Sequence, residues 1–298
     1  MSRKLFSGLE SSFRFLVGHE GFSSHPLRCV WRVFAWYLLV LTGRNPTMKV
    51  GAWNASYLLP SVFRSPAKVF YVFGRDYEPE IKFLESYLRE GDVFVDGGAN
   101  FGLYTIMAAR HLGSAGRVFA FEPFPESHEL VVKNIDRNRL DNVELFQVAL
   151  SDENGEARLG VHDDPGRNSL ALDASETIAT VKVEKKRLDD LWAQHRFPLP
   201  TVIKLDVEGH ERSILLGALK TLSAATPTII FELIPPSCER AGHTVGALID
   251  LLRDAGYTFF AFSGNKMIPA IPECGDYIAV HTSRLTEDRN IRMQNSSW

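Results

Sequence analysis

Cysteine is scarce in this sequence of 298 residues, which has only Cys29, Cys238 and Cys274 and neither a Cys-x-x-Cys pair nor a Cys/His cluster. Three scattered cysteines exclude a disulfide framework and a structural zinc site. A reducing, cytoplasmic compartment is therefore the simplest expectation. A surplus of positive charge is also lacking, because the formal net charge is −3, and we expect no nucleic-acid partner.

Long hydrophobic runs are missing as well. The start of the chain lacks the uninterrupted apolar core of a secretory signal. The most apolar segment, residues 29–41, is interrupted by Arg32 and is shorter than the ~20 residues that a bilayer span needs. We expect no transmembrane span and predict a helix here that is buried in the core or forms a dimer. A membrane-surface helix, with Trp31, Trp36 and Tyr37 at the interface, is the alternative, so peripheral membrane contact and a homodimer both stay open.

The chain shows no internal repeat and no low-complexity tract, and its rhythm divides it into unequal parts. Residues 1–66 are predicted to be a helical N-terminal extension, residues 67–285 the main domain, and residues 286–298 a C-terminal tail. Within the domain, residues 151–200 break the rhythm and are predicted to be a β-rich insertion. The segment "KVFYVFG" alternates enough to predict a strand.

Apolar strands and amphipathic helices alternate through the main domain. The strands show little internal alternation, which is typical of a parallel sheet covered on both faces. An antiparallel pair, "YTFFAF" and "DYIAVH", closes the chain. The fold class predicted is therefore α/β, with a doubly wound, mostly parallel sheet. The five parallel strands are predicted in "VFVDGG", "RVFAFEP", "VELFQVAL", "TVIKLDV" and "PTIIFELI".

A cluster of small residues follows the first of these strands, which ends at Asp96. Ligands of open parallel sheets lie outside the carboxyl ends of the strands, where the strand order reverses. Small residues there would let backbone amides approach a ligand, and the following helix N-terminus favours negative charge. The pattern predicts a site for a nucleotide-type cofactor.

Two acidic residues bear on which cofactor is bound. The dinucleotide fingerprint is imperfect, since Ala99 stands at the middle glycine position when Gly97 and Gly102 are aligned. Glu122 ends the second strand, where a carboxylate can accept both ribose hydroxyls of either cofactor class. Asp96 would repel a pyrophosphate but attract the ammonium group of a methionine moiety, directly or through water. S-adenosylmethionine is favoured over NAD(P).

The blocks "DGGANFGLYTIMAA", "GRVFAFEP", "NVELFQVALSDENG", "TVIKLDVEGHE" and "IIFEL" resemble, in order and spacing, the FkbM-type methyltransferases. The resemblance runs from about residue 71 to about residue 281. It implies the seven-stranded, Rossmann-like fold of class I methyltransferases. It also implies S-adenosylmethionine as cofactor and oxygen nucleophiles, often sugar hydroxyls or those of polyketides and glycolipids, as acceptors.

The resemblance assigns the cofactor residues by position. Gly97 departs from the usual Asp-Val-Gly-Ala-Asn form, and a smaller residue should leave cofactor binding intact. The methionine end would be lined by Asp96, Gly97, Gly98, Ala99, Asn100 and Gly102, the ribose would be held by Glu122, and the adenine would lie near Ala149, Leu150 and Ser151.

The stretch "IKLDVEGHE" and the end of "IIFE" supply the candidate catalytic residues, Asp206, Glu208, His210 and Glu232. An acceptor hydroxyl must lose its proton, so a base within hydrogen-bond reach is expected. Asp206 or Glu208 could be that base or could orient the acceptor, and His210 could be the base instead. Alternatively, the carboxylates could hold Mg²⁺, although no residue is assigned as a resident metal ligand. Proximity alone, with carboxylates paired to Lys204, is the remaining hypothesis.

The predicted function is S-adenosylmethionine-dependent O-methyl transfer to a small-molecule or glycan hydroxyl, on a sugar, glycolipid or natural product. The alternatives are an NAD(P)-dependent oxidoreductase on a related fold and a non-catalytic module used for assembly. Loops on a rigid sheet usually carry specificity, so acceptor recognition is expected in the N-terminal extension and in residues 165–176.

Overall fold

The structure, a computed structural model, describes residues 17–63, 65–162, 165–170 and 177–285. The predicted C-terminal tail at 286–298 and part of the acceptor loop predicted at 165–176 lie outside the described residues.

Helices and a hairpin make up the described N-terminal part of the chain. Its elements are the helices α1 (Glu20–Ser24) and α2 (Pro26–Leu41), the strands β1 (Thr47–Val50) and β2 (Ala55–Leu58), and the helices α3 (Pro66–Phe73) and α4 (Pro79–Tyr87). Among the described strands, β1 and β2 pair only with each other, in antiparallel register. The extension predicted as helical therefore also contains a two-stranded hairpin.

The main domain begins with strands and helices in strict alternation. They are β3 (Val93–Gly97), α5 (Leu103–Leu112), β4 (Arg117–Phe121), α6 (Pro125–Asn138) and β5 (Val143–Phe146). The insertion follows with β6 (Ala149–Leu150), β7 (Gly155–Val161), β8 (Ala179–Lys186) and the helix α7 (Leu188–His195). Its three strands form a separate small sheet in the order β6-β8-β7.

The second half of the main domain completes the large sheet. Its elements are β9 (Val202–Leu205), α8 (Glu211–Leu216), α9 (Leu219–Ala225), β10 (Thr228–Leu233), α10 (Pro235–Arg240), α11 (Val245–Asp254), β11 (Tyr257–Ser263), β12 (Lys266–Pro269) and β13 (Gly275–His281). The large sheet has eight strands in the order β12-β11-β13-β10-β9-β3-β4-β5. The five strands from β10 to β5 are parallel, whereas β13 is antiparallel to both β10 and β11. The doubly wound, mostly parallel sheet is confirmed.

Alternate residues of the strands build a core on each face of this sheet. On β3, Phe94 packs with α4, α5 and the N-terminal hairpin. Val93 and Val95 point the other way and pack with α7, α8 and α11. Since both faces are covered, the strands can be apolar throughout, which is why their sequences alternate so little.

One strand was predicted wrongly, because "KVFYVFG" forms the helix α3. Ser65 caps this helix by accepting a hydrogen bond from the amide of Ala67 (3.1 Å), and Pro66 occupies its first turn. Gly74, at φ +65°, ends it. A Ser-Pro start and a glycine stop are helix signals that outweigh a short apolar alternation.

Three further differences concern strand and helix boundaries. The predicted third strand is split, so that β5 joins the large sheet and β6 the small one. The predicted helix after the fourth parallel strand is two helices, α8 and α9, separated at Gly217. The short loop expected between the closing strands contains β12, which pairs with β11 and brings the large sheet to eight strands instead of seven.

None of the helices in the described part of the chain combines the length and hydropathy that crossing a membrane requires. The helix predicted at residues 29–41 exists as α2 and is half buried. Its residues Cys29 and Trp36 are fully buried, whereas Trp31, on the opposite face, is 65% exposed.

Candidate active site

A cavity opens at the carboxyl ends of the parallel strands, between β3 and β9. The chain winds from β3 towards β4 and β5 on one side, and continues through β9 and β10 on the other. This is the break in strand order at which open α/β sheets bind ligands. The cavity wall includes residues from the loops after β3, β4 and β9, from the end of β10, from the small sheet and from the segment before α4.

The glycine loop after β3 forms one wall and is held by the protein itself. The amides of Gly98 and Ala99 both donate to the carbonyl oxygen of Phe121 (3.0 Å each). The amide of Asn100 donates to Glu122 Oε2 at 2.7 Å. All three amides thus have hydrogen-bond partners at the end of β4.

Gly98 is the position where this loop requires glycine. Its φ is +90°, and a Cβ atom there would lie 2.1 Å from the carbonyl oxygen of Asp206. At Gly97, a Cβ would lie 2.9 Å from the Leu205 side chain instead. The loop can approach the end of β9 this closely only because Gly98 has no side chain.

Glu122 lines the cavity with a fixed carboxylate. Oε2 accepts the Asn100 amide at 2.7 Å, and Oε1 accepts the Phe124 amide at 2.9 Å. Only 7% of the residue is exposed, and this burial raises the pKa of its carboxyl group to about 7. Each carboxylate oxygen retains acceptor capacity, so the group can still bind two neighbouring hydroxyls.

Asp96 does not line the cavity, contrary to the role on which the cofactor choice rested. It is 2% exposed, and its Oδ2 accepts a hydrogen bond from the Thr105 hydroxyl on α5. Burial raises the pKa of its carboxyl group. Asp96 also lies opposite Lys204 in the β3–β9 register, so its charge acts within the sheet rather than on a ligand in direct contact.

The other predicted cofactor residues divide between the wall and the layer behind it. Gly102 and Ser151 are not on the cavity wall. Gly102, at φ +84°, is the residue before α5 and faces Val131. The predicted residues that do line the cavity are Gly97, Gly98, Ala99, Asn100, Glu122, Ala149 and Leu150.

The four predicted catalytic residues, Asp206, Glu208, His210 and Glu232, all line the same cavity. The Asp206 side chain is 42% exposed and lies 3.0 Å from the ammonium group of Lys204, whose side chain is 5% exposed. Burial lowers the pKa of Lys204, but the carboxylates of Asp206, Glu78, Glu80 and Asp96 outweigh it and raise the pKa overall. Lys204 is thus a buried cation that fixes Asp206 at the cavity wall.

His210 is held in a neutral form. Burial lowers its pKa to about 4. Its Nε2 lies 3.1 Å from Ser151 Oγ, and the Ser151 hydroxyl donates to Asp152 (3.0 Å). With that hydrogen directed at Asp152, Ser151 accepts from Nε2–H, which leaves Nδ1 as the basic nitrogen.

Glu208 sits at a strained turn between β9 and α8. Its φ is +54°, in the left-handed region that non-glycine residues rarely adopt. The next residue, Gly209, has φ +98° and packs against Ser237, where a Cβ would lie 2.5 Å from its carbonyl oxygen. The backbone oxygen of Glu208 accepts the Ser169 hydroxyl at 3.1 Å, which ties this turn to the insertion.

Sequence reasoning missed three acidic residues on this side of the molecule, of which only Glu78 is on the cavity wall. Glu78 lines it and accepts a hydrogen bond from the Tyr104 hydroxyl. Glu80 is 2% exposed with Oε2 unpaired, and Asp276 is the register partner of Glu232. Glu78 and Glu80 precede and begin an amphipathic helix in sequence, where acids are ordinary, so no local signal separated them from surface residues.

Crowding of carboxylates around one ammonium group changes their protonation. Burial raises the pKa of Glu232 first, and the charges of Asp206 and Asp276 raise it further. Burial likewise raises the pKa of Glu78, although Lys204 opposes the shift. Within the described residues, no group of three His, Cys, Asp or Glu side chains has an arrangement that could hold a metal ion. The site therefore provides protonatable carboxyl groups at the wall opposite Glu122.

The comparison with protein families identifies the class. Residues 96–259, more than half of the chain, match the family model of the methyltransferase FkbM domain, and the chain belongs to this family. The matched residues run from the end of β3 into β11, so they include most strands of the large sheet.

Individual relatives are distant and match only in part. The hexuronic acid methyltransferase AglP of Haloferax volcanii is 29% identical over 154 residues, which cover 50% of this chain and 59% of that protein. The 31-O-demethyl-FK506 methyltransferase FkbM of Streptomyces tacrolimicus is 28% identical over 207 residues, covering 58% of this chain and 75% of that protein. The 2-O-methyltransferase NoeI of Sinorhizobium fredii is 28% identical over 153 residues, covering 46% of this chain and 61% of that protein. The chain thus spans about three fifths of the length of two of these relatives.

Proposed function

We propose that the protein is an S-adenosylmethionine-dependent O-methyltransferase acting on a hydroxyl group of a sugar, glycolipid or natural product. The observation that carries the proposal is one cavity with two different walls. The glycine loop and Glu122 form the first, and carboxyl groups around Lys204 form the second. Family membership supports methyl transfer, and three relatives are named as methyltransferases of hexuronic acid, of 31-O-demethyl-FK506 and of a 2-O position.

The first wall fits the nucleoside of the proposed cofactor. Glu122 is fixed by two backbone amides and can accept the ribose hydroxyls. Ala149 and Leu150 offer an apolar surface of the kind that an adenine ring requires. On the second wall, Glu78 reaches the cavity and is suited to an ammonium group, the role that Asp96 cannot fill by direct contact.

The second wall fits an acceptor hydroxyl. S-adenosylmethionine supplies an electrophilic methyl group on a sulfonium. The transfer needs a hydroxyl oxygen aligned with that carbon, and alignment can supply about 7–11 kcal/mol of the barrier. Asp206, fixed by Lys204 but exposed to the cavity, can accept a hydrogen bond from the hydroxyl and orient it.

Proton removal falls to the same group of carboxylates. A base is most effective when its pKa lies near the working pH. Burial raises the pKa of Glu78 to about 7, within this range, whereas the pKa of Glu232 is raised to about 9 and keeps that group protonated near neutral pH. His210 is less suited, since its pKa of about 4 makes it a weak base. We therefore place the proton acceptor at Asp206 or Glu78.

Acceptor recognition is proposed at the rim of the cavity that the insertion contributes. Gly166, Asn168, Ser169 and Leu170 line it, as does Pro66 at the end of the N-terminal extension. A cytoplasmic location is also proposed, and it is supported by the three cysteines, which are all free thiols.

Calorimetric titration and a labelled-methyl assay test the proposal. We expect S-adenosylhomocysteine to bind and NADP to give no heat. With labelled S-adenosylmethionine, a fractionated saccharide, lipid or natural-product pool should take up label, and the same assay with and without EDTA tests the Mg²⁺ hypothesis. Binding of NADP in place of S-adenosylhomocysteine would establish the oxidoreductase alternative. Binding of S-adenosylhomocysteine with no labelled acceptor in any pool would instead favour an assembly module.

A further inference from the structure

The outer face of α2 carries a continuous apolar stripe. Its members are spaced at three or four residues, which places them on one side of a helix. Their exposures run from 48% to 87%. The stripe consists of Leu27, Val30, Trp31, Phe34, Leu38 and Leu41.

The inner face of the same helix is firmly attached to the domain. Cys29 and Trp36 are 0% exposed. The Trp36 indole donates a hydrogen bond to the carbonyl oxygen of Val62 at 3.0 Å. The guanidinium of Arg32 donates to the carbonyl oxygen of Val72 at 3.2 Å. The helix therefore holds its stripe outward as a fixed part of the fold.

The segment that carries the stripe is rich in basic residues, although Asp76 and Glu85 line the same groove as Arg28 and Arg32. Residues 21–75 contain seven Arg and Lys residues and no Asp or Glu, although the chain as a whole has a net charge of −3. Arg28 and Arg44 are exposed near the two ends of the helix, and Lys49 is exposed on the hairpin. An apolar helix face with basic flanks and interfacial aromatic residues is the combination that anionic bilayer surfaces bind.

We propose that this stripe, with its basic flanks, docks on the surface of an anionic lipid bilayer, with α2 lying in the plane of the interface. With 16 residues the helix is too short to span the hydrocarbon core. A second copy of the chain is disfavoured as the occupant, because a symmetric contact would bring two acid-free basic segments together. The inference goes beyond the proposed function and does not depend on it.

The docking surface is connected to the active-site cavity. Tyr37, on the flank of α2, stacks with Phe63 at a centroid distance of 6.0 Å, and Phe63 is itself 50% exposed. Three residues after Phe63 in the sequence, Pro66 lines the cavity. A short stretch of chain therefore separates a residue in contact with α2 from the cavity wall.

Vesicle flotation tests the proposal with the purified full chain. The vesicles are phosphatidylcholine alone and phosphatidylcholine mixed with phosphatidylglycerol. We expect binding to the anionic vesicles to exceed binding to the neutral ones by at least about tenfold, and to fall with added salt. The double variant Trp31→Asp, Phe34→Asp should lose at least about tenfold of this binding. The matched control is Ile271→Asp, because Ile271 is 84% exposed but lies outside the stripe, and it should bind as the wild type does.

A second variant separates the electrostatic part and guards against misfolding. Arg28→Glu with Arg44→Glu leaves every apolar residue in place and should abolish the preference for anionic vesicles. Circular dichroism and S-adenosylhomocysteine titration verify folding independently of the membrane. The proposal is overturned if the wild type floats with neither vesicle, or if the Trp31/Phe34 variant binds as well as the wild type. A dimer in light scattering that the same variant converts to monomer, without vesicle binding, would identify a second copy as the occupant.

Discussion

At the scale of single residues, Gly98 is the tightest point of the site. Its missing side chain lets the loop after β3 touch the backbone at the end of β9, where a Cβ would lie 2.1 Å from the Asp206 oxygen. Both a positive φ and a steric overlap therefore oppose any other residue. The first and second walls of the cavity come together at Gly98.

We predict that Gly98→Ala weakens S-adenosylhomocysteine binding and destabilises the fold. The left-handed conformation costs about 1–2 kcal/mol, and the overlap adds about 1–3 kcal/mol. Urea unfolding and calorimetric titration measure the two effects. Gly91→Ala is the control, since Gly91 has φ +85° but open space around it; it should show only the first cost. Equal losses of stability in the two variants would contradict the close approach.

We predict that neutralising Asp206 and neutralising Glu232, both on the second wall of the cavity, have different effects on turnover. Asp206→Asn removes the carboxylate that Lys204 holds against the acceptor hydroxyl. We expect it to lower turnover by about 10²–10⁴-fold, with little change in the affinity for S-adenosylhomocysteine. Glu232→Gln should leave turnover nearly unchanged, because the raised pKa of Glu232 keeps the group protonated near neutral pH and Gln resembles that form. Single-turnover rates with labelled cofactor compare the variants. A large loss in Glu232→Gln with full activity in Asp206→Asn would reverse the two roles.

At the scale of elements, the contact between β2 and α6 positions the glycine loop. Asn134 is 0% exposed and accepts the Leu58 amide at 2.6 Å. It also donates to the carbonyl oxygens of Leu58 (3.0 Å) and Phe101 (2.9 Å). One side-chain amide thus joins the N-terminal hairpin to the loop that lines the cavity.

Asn134→Ala should lower the free energy of unfolding by at least about 2 kcal/mol, because buried backbone groups lose their partners. It should also weaken S-adenosylhomocysteine binding, since Phe101 belongs to the cavity loop. Chemical unfolding and titration provide the measurements. Glu129→Ala, at a position on the same helix with 67% side-chain exposure, should change stability by less than about 0.5 kcal/mol. The clamp has no structural role if both variants behave alike.

The elements show which signals in the sequence were sufficient. Five parallel strands and the closing antiparallel pair could be predicted from the sequence. Both faces of the sheet are buried, so its strands are continuous apolar runs, which are typical of buried strands. The hairpin β1–β2 could not, since β2 is held largely by the side chains of Asn134 and Asn138, which are distant in sequence. The strand β12 is only four residues long and follows a turn at Gly264. Its sequence therefore predicted a loop instead of a strand.

The site was predictable to the extent that its residues end strands. Glu122, Asp206 and Glu232 follow apolar runs and lie on the cavity wall, where strand ends must meet. Asp96 also ends a strand, but its side chain turns towards Thr105 and is buried, a choice of direction that spacing cannot reveal. Glu78 enters from a segment outside the parallel strands, and only the tertiary fold brings it to Lys204.

At the scale of the whole molecule, buried carboxyl groups dominate the dependence of stability on pH. Burial raises the pKa of Glu122 and of Glu211 to about 7 each, above their ordinary value near 4.5. The folded state therefore binds protons more tightly than the unfolded state between these values, and stability falls as the pH rises through this window. His210, with its pKa lowered to about 4, acts in the opposite direction but is a single group.

We therefore predict that the ligand-free protein has a larger free energy of unfolding at about pH 5.5 than at about pH 8. Urea unfolding across this range measures the slope. Glu211→Gln should flatten it, because Glu211 is 1% exposed and one of its carboxyl oxygens has no partner. Glu129→Gln, at an exposed position, should leave the slope unchanged. Stability that rises steadily towards alkaline pH would show that these groups are ionised in the folded state.

The split of the third strand has a consequence for how such a molecule can diversify. β5 belongs to the large sheet and ends at Phe146. After two intervening residues β6 begins at Ala149, and among the described strands it pairs with β8 of the small sheet. The small sheet and the loop beyond β7 contribute Leu150, Leu159 and Leu170 to the cavity wall without supplying any strand to the large sheet. Residues 151–186 could thus be exchanged as a cassette, altering the choice of acceptor while the cofactor half of the protein is inherited intact.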